Sequence, residues 1–129
     1  MTTSRHRYYQ NLYDELCLVC VNQLSDYAPE GSDTAEFLNR VRTLQFSLGD
    51  PDSAQEGQAL LSQIVASFPL ITPQMHRDLL WFFGGDCLHY LSDEELDKYQ
   101  LLEERYYEAG SDGDEGLYRN LRAQTFGLH

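Results

Sequence analysis

Apolar residues recur every three or four positions through most of this chain, which is the spacing of one face of an α-helix. The first apolar stripe runs from Leu12 to Tyr27 at intervals of 4, 3, 1, 4 and 3 residues. It predicts a helix from about Ser4 to Ser25. Pro29 and Gly31 follow directly, and both residue types interrupt helices.

Two more apolar stripes predict a second and a third helix. The second stripe consists of Phe37, Val41, Leu44 and Leu48, and the third of Leu60, Leu61, Ile64, Val65 and Phe68. The second helix begins at Ser32 or Asp33, and a Gly-Asp-Pro turn at residues 49–51 ends it. The third helix follows Asp52 and ends at Pro69, because proline lacks the amide hydrogen that a continuing helix requires.

The stretch from residue 79 to residue 100 marks where a fourth and a fifth helix meet. Thr72 and Pro73 resemble an N-cap and a first helical residue, which predicts a fourth helix over residues 73–83. Gly84 and Gly85 break the chain, and residues 86–91 form a connector or a single turn. Residues 92–95 have the spacing of a capping box, which predicts a fifth helix over residues 92–109.

The remaining sequence predicts a flexible linker over residues 110–116 and a short amphipathic helix over residues 117–124. No segment shows the alternation of a half-buried strand. We therefore predict a single all-α domain over residues 1–129, a bundle of five to six helices. Because the loops are short, most sequence neighbours are expected to be antiparallel.

Acidity is concentrated in one part of the chain. The net charge is −12, and residues 86–116 hold eleven acids against two bases. This balance argues against a direct nucleic-acid partner and against an anionic membrane. This acidity indicates a solvated helix face, a docking face for a basic partner or a decoy for DNA-binding proteins. The candidate contact residues form an acidic cluster on the fifth helix: Glu94, Glu95, Glu103 and Glu104.

An aromatic cluster lies next to the Gly-Gly break. Trp81, the only tryptophan, precedes two phenylalanines, and Tyr90 follows shortly after. Three consecutive aromatic residues cannot share one helix face, and Trp81 is out of phase with its apolar neighbours. Three interpretations stay open for Trp81 and Tyr90: core packing, an interface in a homodimer or with another protein, and a small-ligand pocket between helices.

Three cysteines raise the question of a metal or thiol site. Cys17 and Cys20 form a CxxC pair, and Cys87 with His89 would complete a zinc ligand set. The alternative is that the thiols are core residues, since Cys17 and Cys20 lie within an apolar helix. An odd number of cysteines without a leader peptide or an apolar span of about 18 residues points to the cytoplasm.

Residues 83–109, FGGDCLHYLSDEELDKYQLLEERYYEA, resemble a small family of uncharacterised bacterial cytoplasmic proteins. The resemblance implies a bacterial origin and brings no activity, ligand or catalytic residue with it.

The leading functional hypothesis is a non-enzymatic binding or regulatory module that acts through protein contacts of the acidic helix 92–109. No complete catalytic constellation is present in the sequence. The alternatives are a metal- or thiol-dependent protein that uses the cysteines and His89, and a helical bundle that binds a small ligand.

Overall fold

The computed structural model describes residues 3–110 and 116–127. This part of the chain contains six α-helices and no strand: α1 (Ser4–Leu24), α2 (Asp33–Leu44), α3 (Ser53–Ser67), α4 (Asp78–Phe83), α5 (Asp93–Ala109) and α6 (Leu117–Phe126). Short 3₁₀ helices lie at Ser25–Tyr27, Thr72–Gln74 and Gly85–Tyr90. The predicted all-α class and helix number are confirmed. Residues 111–115, the centre of the predicted linker, lie outside the described residues.

Side-chain caps fix two of the predicted helix starts. At α5, Ser92 Oγ accepts a hydrogen bond of 3.1 Å from the Glu95 amide, and a Glu95 carboxylate oxygen accepts one of 3.1 Å from the Ser92 amide. This is the predicted capping box. At α2 the cap is Ser32, whose hydroxyl accepts from the Ala35 amide at 3.1 Å.

The prediction of one continuous helix over residues 73–83 is wrong. Thr72 does not cap a new helix, because its hydroxyl donates to the carbonyls of Ile64 and Phe68 at 3.2 and 3.1 Å, at the end of α3. Only a 3₁₀ turn follows, and Met75 is extended with ψ 128°. The fourth α-helix therefore starts at Asp78, and this late start places the Asp78 carboxylate in the interior.

Consecutive helices α1 to α4 pack against one another, and α6 packs against α5 and α1. The predicted stripe of α1 lies in the core, but Tyr27 is 73% exposed because it falls in the 3₁₀ turn after α1. Tyr9 and Tyr13, which the stripe did not include, are buried. No helix of the described residues is both long enough and apolar enough to cross a lipid bilayer.

A glycine brings α4 close to α3. A Cβ atom added at Gly57 would lie 2.1 Å from the Phe83 ring, so only glycine allows this approach. The Gln58 side chain next to it donates to the Phe83 carbonyl at 2.8 Å, which satisfies the end of α4. These two contacts hold the helix whose first residue is Asp78.

Candidate functional site

The first component of the site is a buried carboxylate at the start of α4. Asp78 is only 3% exposed. Arg122 of α6 binds it through two parallel bonds, from Nε to Oδ2 at 2.9 Å and from Nη2 to Oδ1 at 3.0 Å. Tyr8 Oη of α1 donates to the same Oδ2 at 2.8 Å. A fully paired charge therefore joins three helices.

The second component is Glu103 on α5. Its carboxylate accepts hydrogen bonds from Arg5 Nε of α1 at 3.0 and 3.1 Å and from Trp81 Nε1 of α4 at 3.1 Å. Tyr118 Oη of α6 donates to it at 2.7 Å, and that hydroxyl also lies 2.7 Å from Tyr9 Oη. Glu103 thus connects α5 to α1, α4 and α6.

Aromatic rings surround the two carboxylates. Tyr9 stacks on Phe82 with ring centroids 4.6 Å apart, and Trp81 stacks on Tyr99 at 5.5 Å with an angle of 11° between the planes. The guanidinium of Arg5 lies 5.0 Å from the centre of the Tyr9 ring. Stacked rings and cations over aromatic faces each add stability beyond simple burial.

Burial sets the protonation states of this polar-aromatic network. It raises the pKa values of Tyr8, Tyr9 and Tyr118, which keeps their hydroxyls neutral at physiological pH. Burial opposes the charge of Arg122, but hydrogen bonding and Coulomb attraction to Asp78 outweigh it and raise the Arg122 pKa. Among the described residues, no buried side-chain nitrogen or oxygen lacks a hydrogen-bond partner. The network is therefore suited to fixing helices rather than to proton transfer.

A cleft of about 530 Å³ opens beside Asp78, between the start of α4, α5 and the end of α6. Phe126 and Tyr99 supply its aromatic wall. Its charged groups form ion pairs, such as Arg77 Nε with Glu95 at 2.6 Å. Trp81 and Tyr90 do not line this cleft.

The structure divides the predicted acidic cluster into two pairs. Glu94 and Glu104 are exposed, and Glu94 lies 3.3 Å from Lys98. Glu95 and Glu103 are half-buried and engaged within the chain. Hydrogen bonding to Arg77 is the main reason that the pKa of Glu95 is lowered to about 2.

The two predicted aromatic candidates also differ in their surroundings. Trp81 is half-buried between the Tyr99 ring and the Glu103 carboxylate. Tyr90 is 39% exposed, and its carbonyl accepts a hydrogen bond of 2.7 Å from Arg77.

The predicted zinc ligands do not converge. Cys17 Sγ contacts the Val41 carbonyl of α2 at 3.8 Å, whereas Cys87 Sγ contacts the Gln58 carbonyl of α3 at 3.7 Å. His89 is exposed. Across residues 3–110 and 116–127, no three His, Cys, Asp or Glu side chains are arranged to hold a metal ion. A zinc site from these residues has no geometric basis in that part of the chain.

The thiols are also poor nucleophiles where they lie. Burial raises the pKa of Cys17 to about 12 and that of Cys20 to about 11. It also raises the pKa of Cys87. Because the thiolate is the reactive form, these protonated thiols behave as small core residues.

Sequence reasoning identified Glu103 and Trp81 of this network as candidates but not several other members: Tyr8, Tyr9, Asp78, Tyr118 and Arg122. One signal was present, since Tyr9 and Tyr13 continue the apolar stripe of α1 toward its start at helical spacing. Asp78 and Arg122 had no comparable signal, because they are 44 residues apart and neither stands in a motif.

Taken together, the described residues form a small all-α domain in which a paired polar-aromatic network fixes the last helix. The chain belongs to the PA2817-like family, an uncharacterised family whose model matches residues 1–126. This confirms the resemblance to an uncharacterised family. No curated protein and no solved structure matches the chain.

Proposed function

We propose that this protein is a non-enzymatic binding module whose contact surface is the outward face of α5. Carboxylates at intervals of 4, 7 and 4 residues line one side of that helix and are all exposed: Asp93, Asp97, Glu104 and Glu108. We call these four residues the acidic stripe. The spacing places them within one narrow sector of the helix surface.

Much of the acidic stripe works against the stability of α5, since only Asp93 lies in the first turn, where the helix dipole favours an acid. Asp93 with Asp97, and Glu104 with Glu108, are like-charged pairs four residues apart, which destabilise a helix by a few tenths of a kcal/mol each. Glu108 also lies near the C-terminal end, where the helix dipole favours cations, and the last turn contains no basic residue. Helix formation alone therefore does not account for this arrangement, which supports a role in contact with another molecule.

Apolar groups within this outward face carry the proposal. Tyr107 is 86% exposed and Leu101 is 40% exposed, and both flank the acidic stripe. Tyrosine is enriched at protein interfaces because its ring packs while its hydroxyl stays hydrated. Apolar side chains beside an uncompensated negative stripe suit a protein surface better than a small ion.

The partner that fits is a basic amphipathic helix. Lysine or arginine at the same 4, 7 and 4 spacing would face the acidic stripe, and an apolar residue between them would meet Leu101. Charges of this kind mainly raise the association rate and the specificity, so binding should weaken steeply with added salt.

The test uses a labelled helical peptide with lysines at that spacing and a central leucine. We expect it to bind the full chain and to lose at least about tenfold in affinity with Asp97→Lys/Glu104→Lys. The matched control is Asp26→Lys/Glu30→Lys, which makes the same charge change at exposed positions outside α5. Equal losses in both variants would show that only net charge matters and would overturn the proposal.

The four glutamates predicted from the sequence should not be changed together. Glu103→Lys would place a cation beside Arg5 inside the network, so its effect would report unfolding rather than docking. Glu95→Lys would remove the capping box and the contact with Arg77. The charge-reversal experiment is therefore restricted to the acidic stripe.

We also propose that the module acts in the cytoplasm. The three cysteines are free and buried, and none lies in a disulfide. Reduced core thiols suit a reducing compartment. Cofractionation of the protein with periplasmic or secreted marker proteins would contradict a cytoplasmic location.

A further inference from the structure

The surface that receives α6 is chemically unlike the rest of the core. We define the α6 groove by the residues of α1, α4 and α5 that bind α6 side chains: Tyr8, Tyr9, Asp78, Glu103 and Arg105. Each of them offers a polar group or an aromatic ring. The groove therefore recognises its occupant by directional bonds as well as by shape.

The contacts on the side of α6 follow a simple pattern. Tyr118 inserts its ring, is fully buried and binds Glu103 at 2.7 Å. Arg122, one helical turn further on, binds the Asp78 carboxylate through Nε and Nη2. Residues four apart lie on the same helix face. The groove thus binds a tyrosine and an arginine that lie one helical turn apart.

The apolar contacts of α6 centre on one residue, Tyr118, whose ring lies against the rings of Tyr8, Tyr9 and Tyr106. Tyr118 is its only fully buried residue, whereas Leu121 and Phe126 are half-buried. The ion pair and the hydroxyl bonds gain little net free energy, because water replaces these partners when the helices separate. An interface of this composition resembles a reversible protein–protein contact more than a domain core.

Charge complementarity points the same way. The groove presents a buried carboxylate, Asp78, and a half-buried one, Glu103, whereas α6 carries Arg119 and Arg122 and no acidic residue. The chain as a whole has a net charge of −12. The groove is consequently selective for a cationic helix with an aromatic hydroxyl one turn before its arginine.

We propose that the α6 groove is a helix-binding site and that α6 is its tethered competitor. The external ligand is a helix of another protein with the Tyr-x-x-x-Arg pattern. The chain holds α6 at an effective concentration on the order of mM, so a partner binds only when its contacts outcompete those of α6. Binding would release α6. This inference concerns the inner face of α5 and is independent of the acidic stripe.

The test titrates a labelled peptide of residues 116–127 into the full chain. A protein with weakened α6 docking but an intact groove should bind the peptide at least about tenfold more tightly than the wild type, because less of the groove is occupied. Leu121→Ala weakens docking without leaving a charge unpaired, and Arg122→Ala removes the ion pair. Asn120→Ala, on the exposed side of α6, is the matched control and should leave the affinity unchanged.

Recognition by the groove is tested in the Leu121→Ala background. Adding Asp78→Asn should abolish the gain in peptide affinity, and so should a peptide in which Arg122 is alanine. A Leu121→Ala chain that stays folded but binds no better than wild type would overturn the proposal. The proposal would also be overturned if the Leu121→Ala variant formed a concentration-dependent dimer and Asp78→Asn abolished that dimer. The helix that occupies the groove would then come from a second copy of this chain. Asp97→Lys/Glu104→Lys should not change peptide binding, which separates this result from that of the proposed function.

Discussion

The contact between α2 and α3 and the contact between α6 and its groove use different chemistry. Aliphatic side chains such as Val41, Leu61 and Ile64 fill the first region and are almost completely buried. Carboxylates, guanidinium groups and tyrosine hydroxyls dominate the second. Burial of aliphatic groups is nondirectional and contributes much of the stability, whereas directional bonds contribute less net free energy and more selectivity. The molecule therefore combines an aliphatic half around α2 and α3, which provides stability, with a selective half around α6.

The largest expected effect comes from stranding a charge in the selective half. Asp78→Ala should destabilise the protein by about 3–5 kcal/mol, because it leaves Arg122 without its partner in a poorly hydrated site. Replacing the whole unit by apolar residues, as Tyr8→Phe/Asp78→Leu/Arg122→Met, should recover most of that loss. Urea unfolding of the two proteins measures the difference. If the triple variant is as unstable as Asp78→Ala, the polar network itself stabilises the fold, and the proposal that it contributes mainly selectivity is wrong.

The matching change in the aliphatic half is Leu61→Ala. Leu61 is fully buried on α3, and its truncation should cost about 2–5 kcal/mol through lost burial and a residual cavity. Its control, Leu101→Ala, removes the same atoms from a side chain that is 40% exposed and should cost far less. Equal shifts of the unfolding midpoint would contradict the assignment of Leu61 to the core.

These two predictions also show what the sequence could reveal. The spacing of Leu60, Leu61 and Ile64 predicted the aliphatic half, because burial of a helix face leaves a periodic signal in the chain. The ion pair of Asp78 and Arg122 leaves no periodic signal, since it depends on how α4 and α6 are oriented in space. Helix four was also predicted too long, because sequence alone did not show that Thr72 would bond back to α3.

The sequence predicted the acidic cluster of α5 as one group of four glutamates. It did not distinguish the exposed Glu94 and Glu104 from the half-buried Glu95 and Glu103. A helix presents acids at every angle when they are frequent, so Glu103 and Glu104 look alike in the sequence. Their neighbours in space differ, because Glu103 faces Arg5, Trp81 and Tyr118. Distinguishing such residues requires the packing of the other helices.

A smaller effect is expected from a single hydroxyl in the network. Tyr118→Phe keeps the buried ring but removes the donor to Glu103 and the bond to Tyr9. The variant should lose about 1–3 kcal/mol, because partly buried polar groups are left with fewer partners. Thermal unfolding should show no comparable change for Tyr107→Phe, whose side chain is 86% exposed.

The smallest expected effect is the pH dependence contributed by Glu95. Its pKa is about 2 in the folded protein, mainly through Arg77, against an ordinary value of 4.5. A lowered pKa stabilises the fold above pH 4.5, and this contribution is lost as the pH falls from 4.5 through 2. Arg77 is 53% exposed, so the contribution should not exceed about 1 kcal/mol.

Glu95→Gln isolates that contribution, because glutamine also completes a capping box. The stability difference between wild type and variant should be constant at neutral pH and should shrink below pH 4.5. A difference that stays the same down to pH 2 would assign the effect to the cap rather than to the charge.

The position of Trp81 gives the protein an intrinsic optical reporter. It is the only tryptophan, its indole N–H bonds to Glu103, and the same carboxylate binds Tyr118 of α6. Departure of α6 would let water reach this carboxylate, and the indole emission should shift to longer wavelength. The fluorescence of the unlabelled protein would then follow the occupancy of the α6 groove in real time.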